Sequence, residues 1–310
     1  MAVVSRRTVT IALHGGRPEA LEAAAAFVRG MADHGIECLV RPEQLASLAE
    51  RTPAGSVRAV TDADARDTEL VVVFGGDGSI LRAAEWALGF EVPVLGVNLG
   101  HIGFLAELES HELGNLVSAV VERRYSVEER MTIETTVRSG VHGDEVWRSF
   151  AINEVSIEKI AREKMIEVLV RIDGRALSRW GTDGVLVSTP TGSTAYAFSA
   201  NGPVLWPDLS ALLLVPLSAH ALFNRPMVVG PNSWVSIEIL PSQGRGAVVW
   251  CDGRRTVDVA DGMVIEARVG PHKLSLARLS EQPFVDRLVR KFALPVDGWR
   301  GSAERQRDAD

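Results

Sequence analysis

Gly75-Gly76-Asp77-Gly78 sets one carboxylate among three glycines, directly after the apolar run 70–74 and before a helical stretch starting near Ser79. Glycines let the backbone turn tightly and approach a ligand, and the unpaired amides of a helix start favour phosphate. A carboxylate in such an anion site repels phosphate unless it has work there. It can hold a Mg²⁺ ion between the two, or accept the proton of a hydroxyl attacking phosphorus. Both roles belong to phosphoryl transfer. Taken alone, the segment also fits a strand-to-helix turn in which Asp77 caps the helix. It is not a P-loop, since it lacks the Gly-Lys-Ser/Thr ending, and it lacks the spacing of the dinucleotide G-x-G-x-x-G fingerprint.

A second cluster runs from Ser188 to Ser199, Ser-Thr-Pro-Thr-Gly-Ser-Thr-Ala-Tyr-Ala-Phe-Ser. It gathers hydroxyls, small side chains and one tyrosine at a strand end. Such a surface can bond ribose and phosphate and admit a flat ring; it also fits a plain Ser/Thr-rich loop. Asn153-Glu154, inside a strand-like stretch, could grip a diol or a base edge, although neighbours on a strand point opposite ways. Asp183 beside Gly184 reads as a sugar-binding carboxylate or a turn residue. His14, His101 and His220 lack metal-ligand spacing. The tryptophans Trp180, Trp206, Trp250 and Trp299 are scattered, as expected of packing residues. Arg254-Arg255 after Asp252-Gly253 reads as a solvated turn that could meet a phosphate.

The elements that must position these groups come in two textures. In the first ~125 residues, short β-branched runs alternate with helical segments, as in a parallel α/β layer. Strands are expected at Thr8–Leu13, Glu37–Val40, 70–74 and 92–97, with helices at 19–31, 79–88 and 111–122. The unbroken run 70–74 predicts a central strand buried on both faces. From Met131 the period becomes two, over 132–138, 168–172, 234–240 and 247–250, and Asp173-Gly174, Asp252-Gly253 and Asp261-Gly262 favour hairpin turns. The expected division is an α/β domain at 1–128, a β-rich domain at 129–280, and a segment at 281–310 returning to the first. In that segment Phe284, Leu288 and Phe292 recur at helical spacing, and 304–310 reads as a disordered tail.

Composition narrows the classes. The 310 residues are 46% apolar and 24% charged, an ordinary globular balance. A formal charge of −7 argues against a general nucleic-acid binder. The two cysteines, Cys38 and Cys251, share no motif, so neither a disulfide framework nor a zinc site is expected. No apolar run approaches the ~20 residues of a membrane span, and the N-terminus carries no signal-peptide pattern. A soluble cytoplasmic protein is the expectation.

Together, Gly75–Gly78, the run Pro93-Val-Leu-Gly-Val-Asn-Leu-Gly-His-Ile-Gly-Phe-Leu105, Asn153-Glu154 and the run from Asp183 through Thr-Pro-Thr-Gly-Ser-Thr-Ala to Tyr196 resemble the NAD kinase family in order and separation. The glycine-rich motif alone is shared with diacylglycerol-type lipid kinases and 6-phosphofructokinases. The Asn-Glu pair with the Thr-Ala-Tyr block is far more specific.

The resemblance implies a Rossmann-like parallel α/β domain, an all-β sandwich-like C-terminal domain at 129–280 that serves NAD binding and oligomerisation, and a terminal helix packing back on the first. It implies phosphoryl transfer from ATP or polyphosphate, with Mg²⁺, to the adenosine 2′-hydroxyl of NAD, by a homodimer or homotetramer. Asp77 would be the catalytic carboxylate or the Mg²⁺ ligand. Gly78 and Arg82 would lie by the dinucleotide or the incoming phosphate. Asn153 and Glu154 would hold the adenosine and ribose end, with Asp183 nearby or across a subunit interface. Thr194, Ala195, Tyr196, Ala197, Phe198 and Ser199 would line the NAD pocket, and Lys164 stands where the family has a variable contact. Two positions depart from relatives: Gly16 replaces a frequent hydroxyl residue, and Gly181-Thr182 precedes Asp183 where some carry arginine. The competing readings are a lipid kinase sharing the glycine loop, and a non-catalytic NAD-sensing regulator that leaves Asp77 without a task.

Overall fold

The structure, a computed structural model, describes residues 7–98, 103–109, 113–241, 246–279 and 282–296. His101, Trp299, the middle of the 93–105 motif and the tail at 304–310 lie outside them. The chain divides into two compact units, one from the described parts of Met1–Glu128 and Ser275–Asp310, the other Glu129–Leu274.

The first unit opens with β1 (Thr8–Leu13), α1 (Pro18–Asp33), β2 (Glu37–Val40), α2 (Pro42–Ala49), β3 (Val57–Ala59) and α3 (Asp62–Asp67). It continues with β4 (Thr68–Phe74), α4 (Asp77–Leu88), β5 (Val94–Asn98), β6 (Ala106–Glu109), α5 (Leu113–Val121) and β7 (Ser126–Arg130). The second unit holds β8 (Ile133–Arg138), β9 (Glu145–Ala151), β10 (Glu154–Lys159), β11 (Ile166–Ile172), β12 (Arg175–Thr182) and β13 (Gly184–Ser188). A short helix α6 (Tyr196–Ser199) then leads to β14 (Leu212–Leu217), β15 (Met227–Val229), β16 (Val235–Ile239), β17 (Ala247–Cys251), β18 (Arg255–Val259) and β19 (Val264–Val269). The last elements among the described residues are β20 (Leu274–Arg278) and α7 (Phe284–Phe292).

The first unit's sheet runs β3-β2-β1-β4-β5-β20-β7, with β6 also on β5. The pairs β1 with β2 and β4, and β5 with β4, β6 and β20, are parallel. Residues 70–74 of β4 are buried between β1 and β5, as the unbroken apolar run requires. On α1, Ala20, Ala24, Phe27 and Met31 recur at helical spacing and are all fully buried. From β1 the chain builds outward one way through β2 and β3, and from β4 the other way through β5. The crevice at the carboxyl ends of β1 and β4 is therefore a topological switch point, the usual ligand site of such sheets. His14-Gly15-Gly16-Arg17 and Gly75–Gly78 follow those two strand ends.

The second unit is a sandwich of two six-stranded antiparallel sheets, β15-β14-β13-β10-β17-β18 and β12-β11-β16-β19-β8-β9. Val155, Ile157, Val185 and Val249 from one face Val168, Val170, Ile237 and Ile265 from the other in one apolar core. Asp173 and Gly174, at φ 52° and 75°, make the two-residue turn between β11 and β12. Asp252 and Gly253, at φ 52° and 63°, turn β17 into β18. Asp261-Gly262 does otherwise: it joins β18 of one sheet to β19 of the other, so the same dipeptide marks a crossing rather than a hairpin.

Candidate active site

Helix α4 begins at Asp77 itself, two residues earlier than its apolar pattern suggests. Gly76 occupies the N-cap position without a side-chain bond. None of Gly75, Gly76 and Gly78 takes a left-handed φ, so the loop is glycine-rich for closeness and openness rather than for handedness. The Asp77 side chain does not cap its helix. Its Oδ2 accepts the Phe104 amide at 3.0 Å and its Oδ1 accepts the Leu105 amide at 3.1 Å. A Cβ on Gly103 would lie 2.3 Å from Oδ1, so any other residue there would push the carboxylate from this position. Asp77 stays partly exposed, and Gly78 and Arg82, four apart on one helix face, are exposed.

This setting fits a Mg²⁺ ion. Each carboxylate oxygen spends one lone pair on an amide and keeps another. Mg²⁺ commonly takes one or two carboxylates and completes its shell with phosphate oxygens and water. Among the described residues no three His, Cys, Asp or Glu side chains are grouped to cage a metal, so an ion here would arrive with a phosphate ligand.

In the second unit, Glu154, Ser156 and Glu158 share one face of β10 while Val155 and Ile157 enter the core. With Tyr196, Trp250 and Gly253 they line a cleft of about 390 Å³. Trp250 stands opposite Ser156 in the ladder, so it walls the cleft instead of filling a core. Glu154 is only 9% exposed, and its Oε2 has no hydrogen-bond partner among the described residues. Burial, then the charge of Asp252, push its carboxyl up to about 8, against one backbone N–H from Tyr196. A buried acceptor left open costs stability and marks a place where a ligand donor belongs. The Tyr196 phenol is raised as well, by burial and by Glu158, Glu154 and Asp183.

Asp252 supports this edge from behind. Its side chain is fully shielded, and Oδ1 accepts the Asn153 amide at 2.7 Å, both oxygens the Ile152 amide at 3.0 Å. Arg255 bonds Asp252 at 2.7 Å and the Phe150 carbonyl at 2.8 Å, and lies 4.3 Å over the Phe150 ring. Arg255 is thus held against Asp252 and Phe150 rather than left as a solvated turn residue. Burial pushes the Asp252 carboxyl up despite these donors. The Asn153 carbonyl accepts Thr189 N–H at 2.8 Å and Ser188 Oγ at 3.1 Å, tying the Thr-Pro-Thr-Gly block to the Asn-Glu pair.

The remaining predicted positions scatter. Thr194 ends the 3₁₀ turn Thr191–Thr194 and bonds the Thr191 carbonyl at 3.3 Å, with Ala195 next to it. Ala197 is fully buried among Leu186, Leu205, Leu213 and Val215, so its side chain packs a core rather than the cleft. Phe198 and Ser199 are exposed. Asp183 pairs with Lys159 at 2.5 Å, and Lys164 is exposed in the turn between β10 and β11. His14 follows β1 and His220 is exposed. Cys38 and Cys251 are buried thiols, each pushed up to about 12 chiefly by burial.

Residues 9–125 match the ATP-NAD kinase N-terminal domain and residues 152–279 the ATP-NAD kinase C-terminal domain. The chain belongs to the NAD kinase family. It is 51% identical to the NAD kinase of Cutibacterium acnes over 301 residues, covering 96% of this chain and 93% of the relative. It is 47% identical to NAD kinase 2 of Streptomyces avermitilis, covering 97% and 99%. In fold it is similar to yeast NADH kinase complexed with NADH, with TM-score 0.83 at 23% identity over 94% of this chain and 89% of that one. An NAD kinase from Archaeoglobus fulgidus in complex with ATP gives 0.68 at 22% identity over 93% and 99%. Both solved family members share the α/β unit and the sandwich. No helix among the described residues is long and apolar enough to cross a membrane.

Sequence reasoning missed Ser156, Glu158, Trp250 and Asp252 as parts of the site, and read Arg255 as a turn residue that could meet a phosphate rather than as the partner of Asp252. A signal existed for the first two: Glu154, Ser156 and Glu158 alternate with valine and isoleucine at the strand period.

Proposed function

We infer that this chain is an NAD kinase, transferring a phosphoryl group from ATP, or from polyphosphate, to the adenosine 2′-hydroxyl of NAD to give NADP. The family match over nearly the whole chain supports the reaction. The observation that carries the assignment of parts is the contrast between a carboxylate fixed by two amides and a buried one with an open oxygen.

Asp77 serves the chemical step. A ribose hydroxyl is a weak nucleophile near neutral pH, and a carboxylate held at a helix start among phosphate-seeking amides can take its proton as the new bond forms. Asp77 would also hold Mg²⁺ together with the donor's phosphates, and a bound ion would offset charge gathering on the transferred group. The first-turn amides of α4 and the exposed Arg82 and Gly78 suit the incoming phosphates at the switch-point crevice. Glu154 serves binding: its open Oε2 accepts from a ribose hydroxyl of NAD, while Asn153 and Tyr196 order the same edge. Asp183, Thr194, Ala195, Phe198, Ser199 and Lys164 are assigned to the approach around that edge. The enzyme works in the cytoplasm as a homodimer or homotetramer.

The test is direct. Purified protein, NAD, ATP or polyphosphate, and Mg²⁺ should yield NADP, measured with an NADP-specific dehydrogenase. Phosphorylation of diacylglycerol vesicles with none of NAD would reverse the reading towards a lipid kinase, and tight NAD binding without turnover towards a sensor.

A further inference from the structure

Asp77 is held by backbone amides, so its place is set by whatever fixes residues 103–105. Those residues are gripped from the other side by the end of the chain. Arg287 of α7 donates from Nη1 to the Phe104 carbonyl at 3.1 Å. Arg278, closing β20, donates from Nη1 to the Leu105 carbonyl at 3.4 Å. The Phe104 ring lies between Phe284 and Phe292, with centroids 6.0 and 5.8 Å away. Both arginines are buried, at 7% and 3% exposure.

Burying a cation is costly unless strong acceptors meet it; Arg278 has Glu128, 2.9 Å from its Nε, beside the Leu105 carbonyl, and Arg287 meets a backbone acceptor. That acceptor belongs to the Phe104–Leu105 peptide. Its carbonyl accepts from Arg287 while its N–H donates to Asp77 Oδ1. A cation on the carbonyl polarises the peptide and strengthens the N–H as a donor, because linked hydrogen bonds reinforce each other. The rings of Phe284 and Phe292 then keep the peptide from rotating away.

We propose that Arg287 and Arg278 are positioning residues for Asp77, which the C-terminal return of the chain holds through the 103–105 backbone. The proposal rests on the reading of Asp77 as the group that serves the chemical step. On it, α7 does more than cover the first unit's core: it keeps the carboxylate in register with the reacting hydroxyl.

The experiment is a double-mutant cycle on the full chain, with steady-state NADP formation and thermal melting. Arg287→Ala should lower kcat about tenfold, in line with the cost of a small misplacement, and leave KM for NAD and for ATP within about twofold. Arg287→Lys keeps a cation and loses the planar fork, so it should recover part of the rate. In the Asp77→Asn background Arg287→Ala should cost nothing further, since residues that act as a unit are not additive. An equal fold-loss in both backgrounds, a loss confined to KM, or an unchanged kcat in both Arg287 variants would overturn the proposal. If Arg287→Ala does not fold, Arg287→Lys and Arg278→Lys carry the same cycle. Should Asp77→Asn itself turn over like the parent, the reading of Asp77 fails first; an inactive Asp77→Asn with additive Arg287 effects sinks only the present inference.

Discussion

Asp77 and Glu154 each open an element, a helix in one unit and a strand in the other, and their surroundings are opposites. Asp77 is partly exposed, with both oxygens already engaged by amides. Glu154 is buried, beside a second carboxylate, with one oxygen unmet. A satisfied carboxylate is fixed in place and can afford to act on something that moves. An unsatisfied one stores a cost that a ligand relieves. The difference assigns chemistry to the first and recognition to the second.

The sharpest way to break the contrast is Asp77→Asn. The amide keeps the shape but cannot take a proton, so kcat should fall by roughly 10²–10⁴, the range for a lost general base. Steady-state NADP formation measures it, and a near-parental rate would leave Asp77 without a chemical role. Gly103→Ala strikes the same carboxylate by pushing on it, because the added methyl would sit 2.3 Å from Oδ1. A misplacement of this size should cost on the order of 10- to 100-fold in kcat, with KM for NAD little changed; a kcat loss below twofold would mean the cradle tolerates displacement.

Glu154 should announce itself through pH. With its carboxyl pushed up to about 8, it is mostly protonated at pH 7. If the ionised form receives the NAD hydroxyl, affinity should rise about tenfold between pH 7 and 9, following the competent fraction. Titration calorimetry in a pH series reads this directly. Asp252→Asn removes the like charge and keeps a residue type that tolerates the left-handed turn at φ 52°. The limb should then move to lower pH; an unmoved limb would show that Asp252 shapes the backbone alone.

A smaller effect lies in stability. The Glu154 acid is raised in the folded state, so the fold keeps a proton that the unfolded chain has lost between its ordinary value and about 8. Stability contributed by Glu154 therefore falls as pH rises through that window. Glu154→Gln is free of this penalty, and at pH 9 it should melt a few degrees above the parent while binding NAD more weakly. A lower melting point at pH 9 would mean that Glu154 has partners that the open oxygen belies.

The scaffold was legible because its signals are local. The apolar run 70–74 predicts β4, the alanine-rich stretch 19–31 predicts α1, and period-two stretches predict the sandwich strands. The Gly-Gly-Asp-Gly loop was legible for the same reason. What holds Asp77 was not: Phe104 and Leu105 contribute amides, which every residue except proline possesses, and Arg287 reaches them from 183 positions away in the chain. Asp252 was hidden by doing two things at once. Its turn conformation explains the Asp-Gly dipeptide completely, leaving no residual pattern to betray the carboxylate behind Asn153. Asp261-Gly262 shows the converse, a hairpin dipeptide used to cross between sheets. Ala197 shows that a motif residue can serve the core while its neighbour Tyr196 serves the cleft.

The division of labour between the two carboxylates is tested most directly by calorimetric titration of NAD, at pH 8.5, into the parent, Asp77→Asn and Glu154→Gln proteins. The expected result is parental affinity within a few fold for Asp77→Asn, and a loss of about tenfold or more for Glu154→Gln, in keeping with a charged hydrogen bond removed. If Asp77→Asn loses NAD binding while Glu154→Gln retains it, the two roles are the reverse of those assigned.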